Sequence, residues 1–485
     1  MITKEFLDFL SLENGEAGPL ELIPHLEFAR FRENLISSLK SGCTVAAFFA
    51  SSNRLFAVLA DCRAVKFRVF STSVENSYPS LTLDCPQLHL FEREIFEKNG
   101  IRPVGHPWLK EVRKLAASEF FRVEGEEVHE VAVGPVHAGV IEPGHFRFQC
   151  HGEKVLHLEI SLGYQHRGIE KRLRGGPDKG CLSMIEAIAG DTTIGHATAY
   201  CQALEALSET RISARSEALR AIALELERLA NHTGDLGALA GDVGFLPTAS
   251  FCGRLRGDFL NLTALLCGSR FGRRMIRPGG VFFDLDAKRR VELGRRLKEM
   301  SRDLQEAVEM LFKAPSVLTR FHEAGKLSQQ DAVDLGIVGV AARACGLARD
   351  SRLEFPTGSY RFRPIPLATW PSGNVFARAK VRSLEMQHSL AYILDLLADF
   401  PEGGIYCEPS HLKANQFVLS MAEGWRGEIC HVALTDENGL FSTYKVVDPS
   451  FHNWTGLAVA LRGQQISDFP LCNKSFNLSY CGHDL

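Results

Sequence analysis

From Tyr164 to Leu397 apolar residues recur at helical spacing, with only short breaks. The spacing predicts helices over Gln165–Arg174, Lys179–Ile188, Gly195–Ser208, Ser213–Thr233, Thr248–Phe271, Asp286–Phe312, Ser328–Asp334 and Asn374–Leu397. The longest carry a continuous apolar stripe, which has to be covered by its neighbours as in a buried bundle. Strand patterns flank this stretch. Val128–Val133 and His145–Ile160 precede it, the latter folded at a tight His151-Gly152-Glu153 turn. Gln416–Met421, Gly427–Thr435 and Leu440–Val446 follow it, then a short helix near Trp454–Leu461 and a polar tail.

The first residues, to about 118, read as a separate unit. Helical spacing over Leu22–Lys40 leads into three strand-like runs, Thr44–Ala50, Arg54–Leu59 and Val65–Phe70. Leu88–Lys98 is helical again until Gly100 and Pro103 break it. The expected class is therefore α+β. A small α/β domain with a mostly antiparallel sheet spans 1–118. A mainly helical bundle domain, with small antiparallel sheets at its start and near its C-terminal end, spans 128–485.

Composition narrows the function. Lys+Arg number 55 against 58 Asp+Glu, a net charge of −3, which argues against a general nucleic-acid binder. No run reaches the ~18 apolar residues of a membrane-spanning helix. The opening MITKEFLDFLSLENGE has no apolar core of a secretory signal. The 13 Cys include no CxxC pair, which points to reduced thiols and away from a Cys-rich zinc or iron–sulfur site in this chain. No GxGxxG between strand and helix marks a dinucleotide site.

Four segments concentrate chemistry. In GPVHAGVIEPGHFRF (Gly134–Phe148), His137, Glu142 and His145 either point into a cavity or sit on a solvated β-loop. In GYQHRGIEKRL (Gly163–Leu173), His166, Arg167, Glu170 and Lys171 can pair along one helix face. In EAIAGDTTIGHATAYCQALE (Glu186–Glu205), Gly190 ends one helix and Asp191, Thr192 or Thr193 can cap the next, with His196 and Tyr200 one turn apart. In VVDPSFHNWTGLAVALRG (Val446–Gly463), Asp448, Ser450, His452 and Asn453 crowd a Pro-fixed turn into a helix.

The ordered set resembles one superfamily: the large subunit shared by group 4 nickel–iron hydrogenases and the quinone-site subunit of respiratory complex I. LELERLANHTGDLGALAGDVGF (Leu224–Phe245), PSGNVFARAKVRSLE (Pro371–Glu385), AEGWRGE (Ala422–Glu428) and DPSFHNW (Asp448–Trp454) continue the family's order. LFEREIFEKNGIRPVGHPWLKEVR (Leu90–Arg113) resembles the end of the complex I partner subunit, fused here as in formate hydrogenlyase-type enzymes. The resemblance makes the first domain a docking module.

The family's hydrogenases hold nickel and iron with four thiolates. By resemblance the front pair falls at Ala189 and Thr192 and the rear pair at Ser450 and Asn453. A methyl, two hydroxyls and an amide cannot assemble that centre. The resemblance then implies a subunit with no metal or cofactor of its own. It passes electrons from a partner iron–sulfur cluster to a quinone or quinone-like acceptor, coupled to ion translocation. The implied partners are an iron–sulfur small subunit, a ferredoxin-like subunit and integral-membrane ion-translocating subunits, on the cytoplasmic face of the inner membrane. NAD enters only at the level of the whole complex. The alternatives are a hydrogenase with altered ligation and a redox-silent scaffold.

For the acceptor site, His145 competes with His137 for the family's loop histidine, and His145 is preferred. The family's tyrosine position falls close to Gly190, and no Tyr is there. Expected proton donors are His145, Asp191 and His196; expected lining residues are His137, Glu142, Gly190, Thr192, Tyr200, Ser450, His452 and Asn453.

Overall fold

Residues 8–113, 120–137 and 142–485 are described in a computed structural model. The expected domain boundary near 118, and residues 138–141 of the Gly134–Phe148 loop, lie outside them.

Strands Thr44–Ser51, Arg54–Asp61 and Lys66–Ser73 form an antiparallel meander, extended by Leu10–Leu12. Helix Phe28–Lys40 covers one face, where Phe31 meets Phe70 with ring centroids 5.1 Å apart. The helix starts at Phe28, not at Leu22. Pro24 disfavours helical backbone at Ile23, and the chain before it makes only a 3₁₀ turn. The middle strand is buried on both faces, because its core continues into Phe417, Leu419, Val432 and Phe451 of the C-terminal region.

That continuity has a hydrogen-bonded counterpart. Glu16–Pro19 pairs antiparallel with Gln416–Glu423, completing a four-stranded sheet with Glu428–Thr435 and Phe441–Val447. The first unit thus lends a strand to the second.

The bundle is built on Ala214–Asp242, Leu246–Cys267, Ala287–Lys313 and Val375–Ala398. Ser213 caps the first, accepting from Ser216 N–H. This helix runs past the expected end at Thr233. Gly234 and Gly237 weaken helix propensity, but a Cβ at Gly237 would lie 2.8 Å from Cys252 Cβ, so their smallness lets the next helix pack closely.

Two expected helices shrink to Ile169–Leu173 and Cys181–Ile185. Before the first, the backbone bonds elsewhere: Gly163 and Gln165 N–H donate to the Asp484 carboxylate (2.8 and 2.9 Å), and Arg167 and Gly168 N–H to Leu485 O. The charges there do not pair along one face. Glu170 takes Lys98 and Lys445, and Arg167 donates to the carbonyls of Ala187, Ile188 and Cys481.

The polar tail is not solvated. Phe469–Phe476 and Tyr480–Asp484 are helical, and Leu471, Cys472, Tyr480 and Asp484 are buried. The helix expected from Trp454 starts at Pro449, with the Asp448 carboxylate accepting from Ser450 N–H.

Candidate functional site

The front turn, Ala189–Thr192, leads into helix Thr193–Leu207. None of the three expected capping side chains caps it. Instead Glu227, from the long helix, accepts from Ile194 N–H (2.7 Å) and Gly195 N–H (3.2 Å). Burial pushes the Glu227 carboxyl up to about 8, against the pull of those two N–H groups. Asp191 turns the other way and is gripped by both arms of the Arg426 guanidinium at 2.7 and 2.8 Å. Burial disfavours its charge, but Arg426 outweighs burial and holds the carboxyl below its ordinary range. Asp191 is therefore the anion of a fork with Arg426.

The rear turn lies against the front one. Asp448 Oδ2 sits 3.1 Å from His196 Nε2, both side chains buried. His196 Nδ1 is 3.1 Å from His431 Nε2, and His431 Nδ1 is 2.9 Å from Tyr444 Oη. The result is a four-membered polar chain through the interior. Burial, then the hydrogen bond from His196, act in opposite senses on Asp448, and His196 with Arg426 prevails to keep it ionised. Burial holds His431 well below the ordinary imidazole range, so it is neutral.

Residues 477–485 pass between these turns. Arg426 Nε donates to Asn477 O (2.5 Å), and Ser479 N–H donates to Ser450 Oγ (2.9 Å). Tyr480 N–H donates to Glu142 Oε2 (3.0 Å). A Cβ at Gly482 would lie 2.6 Å from Asp448 Oδ2, so only glycine fits there. The four motif segments meet on this strip of chain.

A nickel–iron centre does not fit here. Ala189 has no donor atom. Thr192 Oγ1 bonds Asp191 and accepts from Trp425 Nε1 and Arg426, each at 3.2 Å. Ser450 Oγ serves Ser479, and the Asn453 amide closes both ways on the backbone of Val338 (2.9 and 3.1 Å). The Arg426 cation beside Thr192 opposes a metal cation. Cys181 and Cys201 are buried, and desolvation raises both thiols, so neither is poised as a thiolate. Among the described residues no three His, Cys, Asp or Glu side chains are grouped to hold a metal.

The loop separates its two histidines. His137 Nε2 is engaged with Gly144 O at 2.9 Å, clamping the loop. His145 is half-buried against Phe120, with centroids 5.4 Å apart, and its buried Nε2 has no partner among the described residues. Burial, then Arg147, lowers its pKa, so it is neutral at pH 7. Gly190 is exposed, and a Cβ there would meet nothing within 4 Å. Two expected lining residues turn away from the front turn. His452 packs on Phe91 of the N-terminal unit (5.7 Å), and burial lowers it to about 3. Tyr200 faces Tyr444 (6.1 Å) and lines a different cleft of about 600 Å³ with Phe282 and Tyr406.

Arg426, His431, Tyr444 and Glu227 were not singled out from the sequence. Arg426 stood inside the quoted AEGWRGE. His431 had one signal, a lone imidazole in the apolar strand Glu428–Thr435. It is a diagonal neighbour of Tyr444, because Ala433 pairs with Tyr444 and His431 with Val446.

The chain is 30% identical over 350 residues to carbon monoxide-induced hydrogenase of Rhodospirillum rubrum, covering 72% of this chain and 97% of that one. It belongs to the family of group 4 hydrogenase large subunits and complex I 49 kDa subunits. Residues 242–418 match the family described as respiratory-chain NADH dehydrogenase, 49 Kd subunit. Formate hydrogenlyase subunit 5 of Escherichia coli is 29% identical over 448 residues, 86% of this chain and 78% of that protein. In fold, this family member is similar to a chain of the membrane-bound sulfane sulfur reductase, an archaeal respiratory membrane complex. The TM-score is 0.70 at 20% identity, covering 74% of this chain and 99% of the other. Among the described residues no helix of this family member is long and apolar enough to cross a membrane.

Proposed function

We propose that this chain is the large subunit of a membrane-associated, complex I-like oxidoreductase. Electrons arrive from an iron–sulfur cluster in a partner subunit and leave to a quinone-type acceptor. Ion translocation belongs to integral-membrane partners, and NAD, where used, to another subunit. The 1–118 unit docks a partner, and the chain sits peripherally on the cytoplasmic face.

One observation carries the reading. Every side chain at the four metal-ligand positions either lacks a donor atom or is committed to a protein hydrogen bond, with the Arg426–Asp191 pair alongside. Hydrogen chemistry has no anchor here, and the resemblance to the complex I quinone-site subunit supports a quinone-type acceptor instead. The acceptor lies before exposed Gly190, with His145 supplying a hydrogen bond from its free Nε2. Asp191 stays ionised and positions Arg426.

The test is made on the intact purified complex. Nickel content is measured, and reduction of a short-chain quinone by the chemically reduced complex is followed. The expected result is no stoichiometric nickel, with quinone reduction that His145→Ala lowers. One nickel per complex overturns the reading in favour of a hydrogenase. Clusters that reduce without passing electrons to quinone overturn it in favour of a scaffold.

A further inference from the structure

The chain Tyr444–His431–His196–Asp448 is not explained by packing alone. Four buried polar side chains in an apolar interior are costly unless fully hydrogen-bonded, and an aliphatic set would fill the space without that cost. Its ends are also placed with direction. One is Asp448, under Gly482 and next to the Arg426–Asp191 pair. The other is Tyr444, against the ring of Tyr200, which lines the cleft of about 600 Å³.

We propose that Tyr444, His431 and His196 form a proton path that carries protons from the Tyr200 cleft to Asp448, behind the site where the acceptor is reduced. The proposal rests on the acceptor reading above, and it assigns that site its proton source.

The hydrogen-bond directions follow from the charges. Asp448 is an anion, so His196 Nε2–H donates to it. Neutral His431 accepts the Tyr444 hydroxyl at Nδ1 and donates its Nε2–H to His196 Nδ1. Every dipole points the same way. One passage breaks Tyr444 O–H and forms His431 Nδ1–H. It breaks His431 Nε2–H and forms His196 Nδ1–H, then breaks His196 Nε2–H and forms Asp448 O–H. Each bond leaves its electron pair behind. The proton on Asp448 goes to one acceptor oxygen. A second passage, made once both imidazoles have returned to their starting tautomers, protonates the other. The partner's iron–sulfur cluster delivers the two electrons one at a time. Tyr444 regains its proton from water entering along Tyr200.

The surroundings leave the path uncontested. The thiols facing Tyr444 are Cys181, Cys201 and Cys430, and burial raises all three, so they stay protonated. The charges facing the other end are Arg426, which favours Asp448 as the anion that draws the proton, and Asp191, which Arg426 pairs.

The experiment uses the intact complex with Tyr444→Phe, which deletes a single oxygen, and His431→Gln. In Tyr444→Phe the kcat for a short-chain quinone is expected to fall about a hundredfold. KM is unchanged, the solvent deuterium isotope effect grows, and cluster reduction followed by electron paramagnetic resonance is unaffected. Wild-type kcat and isotope effect in Tyr444→Phe overturn the path while leaving the acceptor reading intact. A wild-type complex inactive with quinone sinks the acceptor reading instead. The path is then judged by infrared difference spectra on cluster reduction. Deuterium-sensitive imidazole bands lost in His431→Gln support it, and their absence in wild type overturns it.

Discussion

Two polar networks are buried in this chain, and they are built on opposite plans. Between the bundle and the C-terminal sheet, three arginines meet four carboxylates. Arg343 pairs with Glu385 and Glu423, both at 2.8 Å; Arg352 pairs with Asp350 (2.6 Å) and Glu225 (3.1 Å); Arg228 reaches Glu225 and Glu385. Here Arg343 and Glu385 stay ions, since the surrounding charges hold Arg343 above and Glu385 well below their ordinary values against the cost of burial. The Tyr444–Asp448 network, by contrast, joins a phenol through two imidazoles to one anion, and each of these groups can exchange a proton. A network of fixed ions fastens elements together; a network of imidazoles and a phenol can conduct.

The largest effect is expected in the ionic network. Arg343→Met strands Glu385 and Glu423 as buried, underpaired anions, a cost of about 3–5 kcal/mol. Loss of the chain from the assembled complex, read on native gels, is the expected result. Normal assembly and melting would show the network is no fastener.

Arg426→Met comes next. Asp191 is 33% exposed, so water takes over part of its solvation and the destabilisation is smaller, about 1–2 kcal/mol. The thermal midpoint of the complex should drop by a few degrees, with quinone reduction impaired. The pair's stabilisation belongs to pH values above the unfolded Asp pKa, because its folded pKa is depressed, and it is lost as acid protonates Asp191. Removing Arg426 should therefore flatten stability at the acid end.

Glu227 reverses that sign. Its folded pKa of about 8 lies above the ordinary 4.5, so its stabilisation is present at low pH and declines as pH rises through about 8. Glu227→Gln should melt with a flatter profile from pH 5 to 9 and gain on wild type at the alkaline end. An unchanged profile would mean Glu227 is ionised in the fold. The smallest stability effect belongs to His145→Ala, within about 0.5 kcal/mol, because its Nε2 has no partner among the described residues and its ring is half-buried. Its signature is a raised KM for quinone with little change in melting.

Much of the architecture was legible. Helical spacing located the bundle because these segments bury a stripe on every turn, and the meander of the first unit was visible in its alternating punctuation. The missed pieces share a cause. The Gln165–Arg174 segment looked helical locally, but Asp484 and Leu485 take its first N–H groups. Residues 469–484 looked polar because their polar atoms face partners that adjacent sequence does not reveal. In the site, motif order and the family resemblance pointed to Ala189, Thr192, Ser450 and Asn453 as the thiolate positions. The partner of Asp191 was not, because Arg426 is 235 residues away in the chain.

The sequence by itself determined the fold family and the lack of any CxxC pair, since both depend on which residues occur in which order. Only the tertiary structure decided what meets at the two turns. An ion pair and a hydrogen-bonded relay form when side chains from distant segments come within about 3 Å, and their charge states follow from that shared burial rather than from any local pattern.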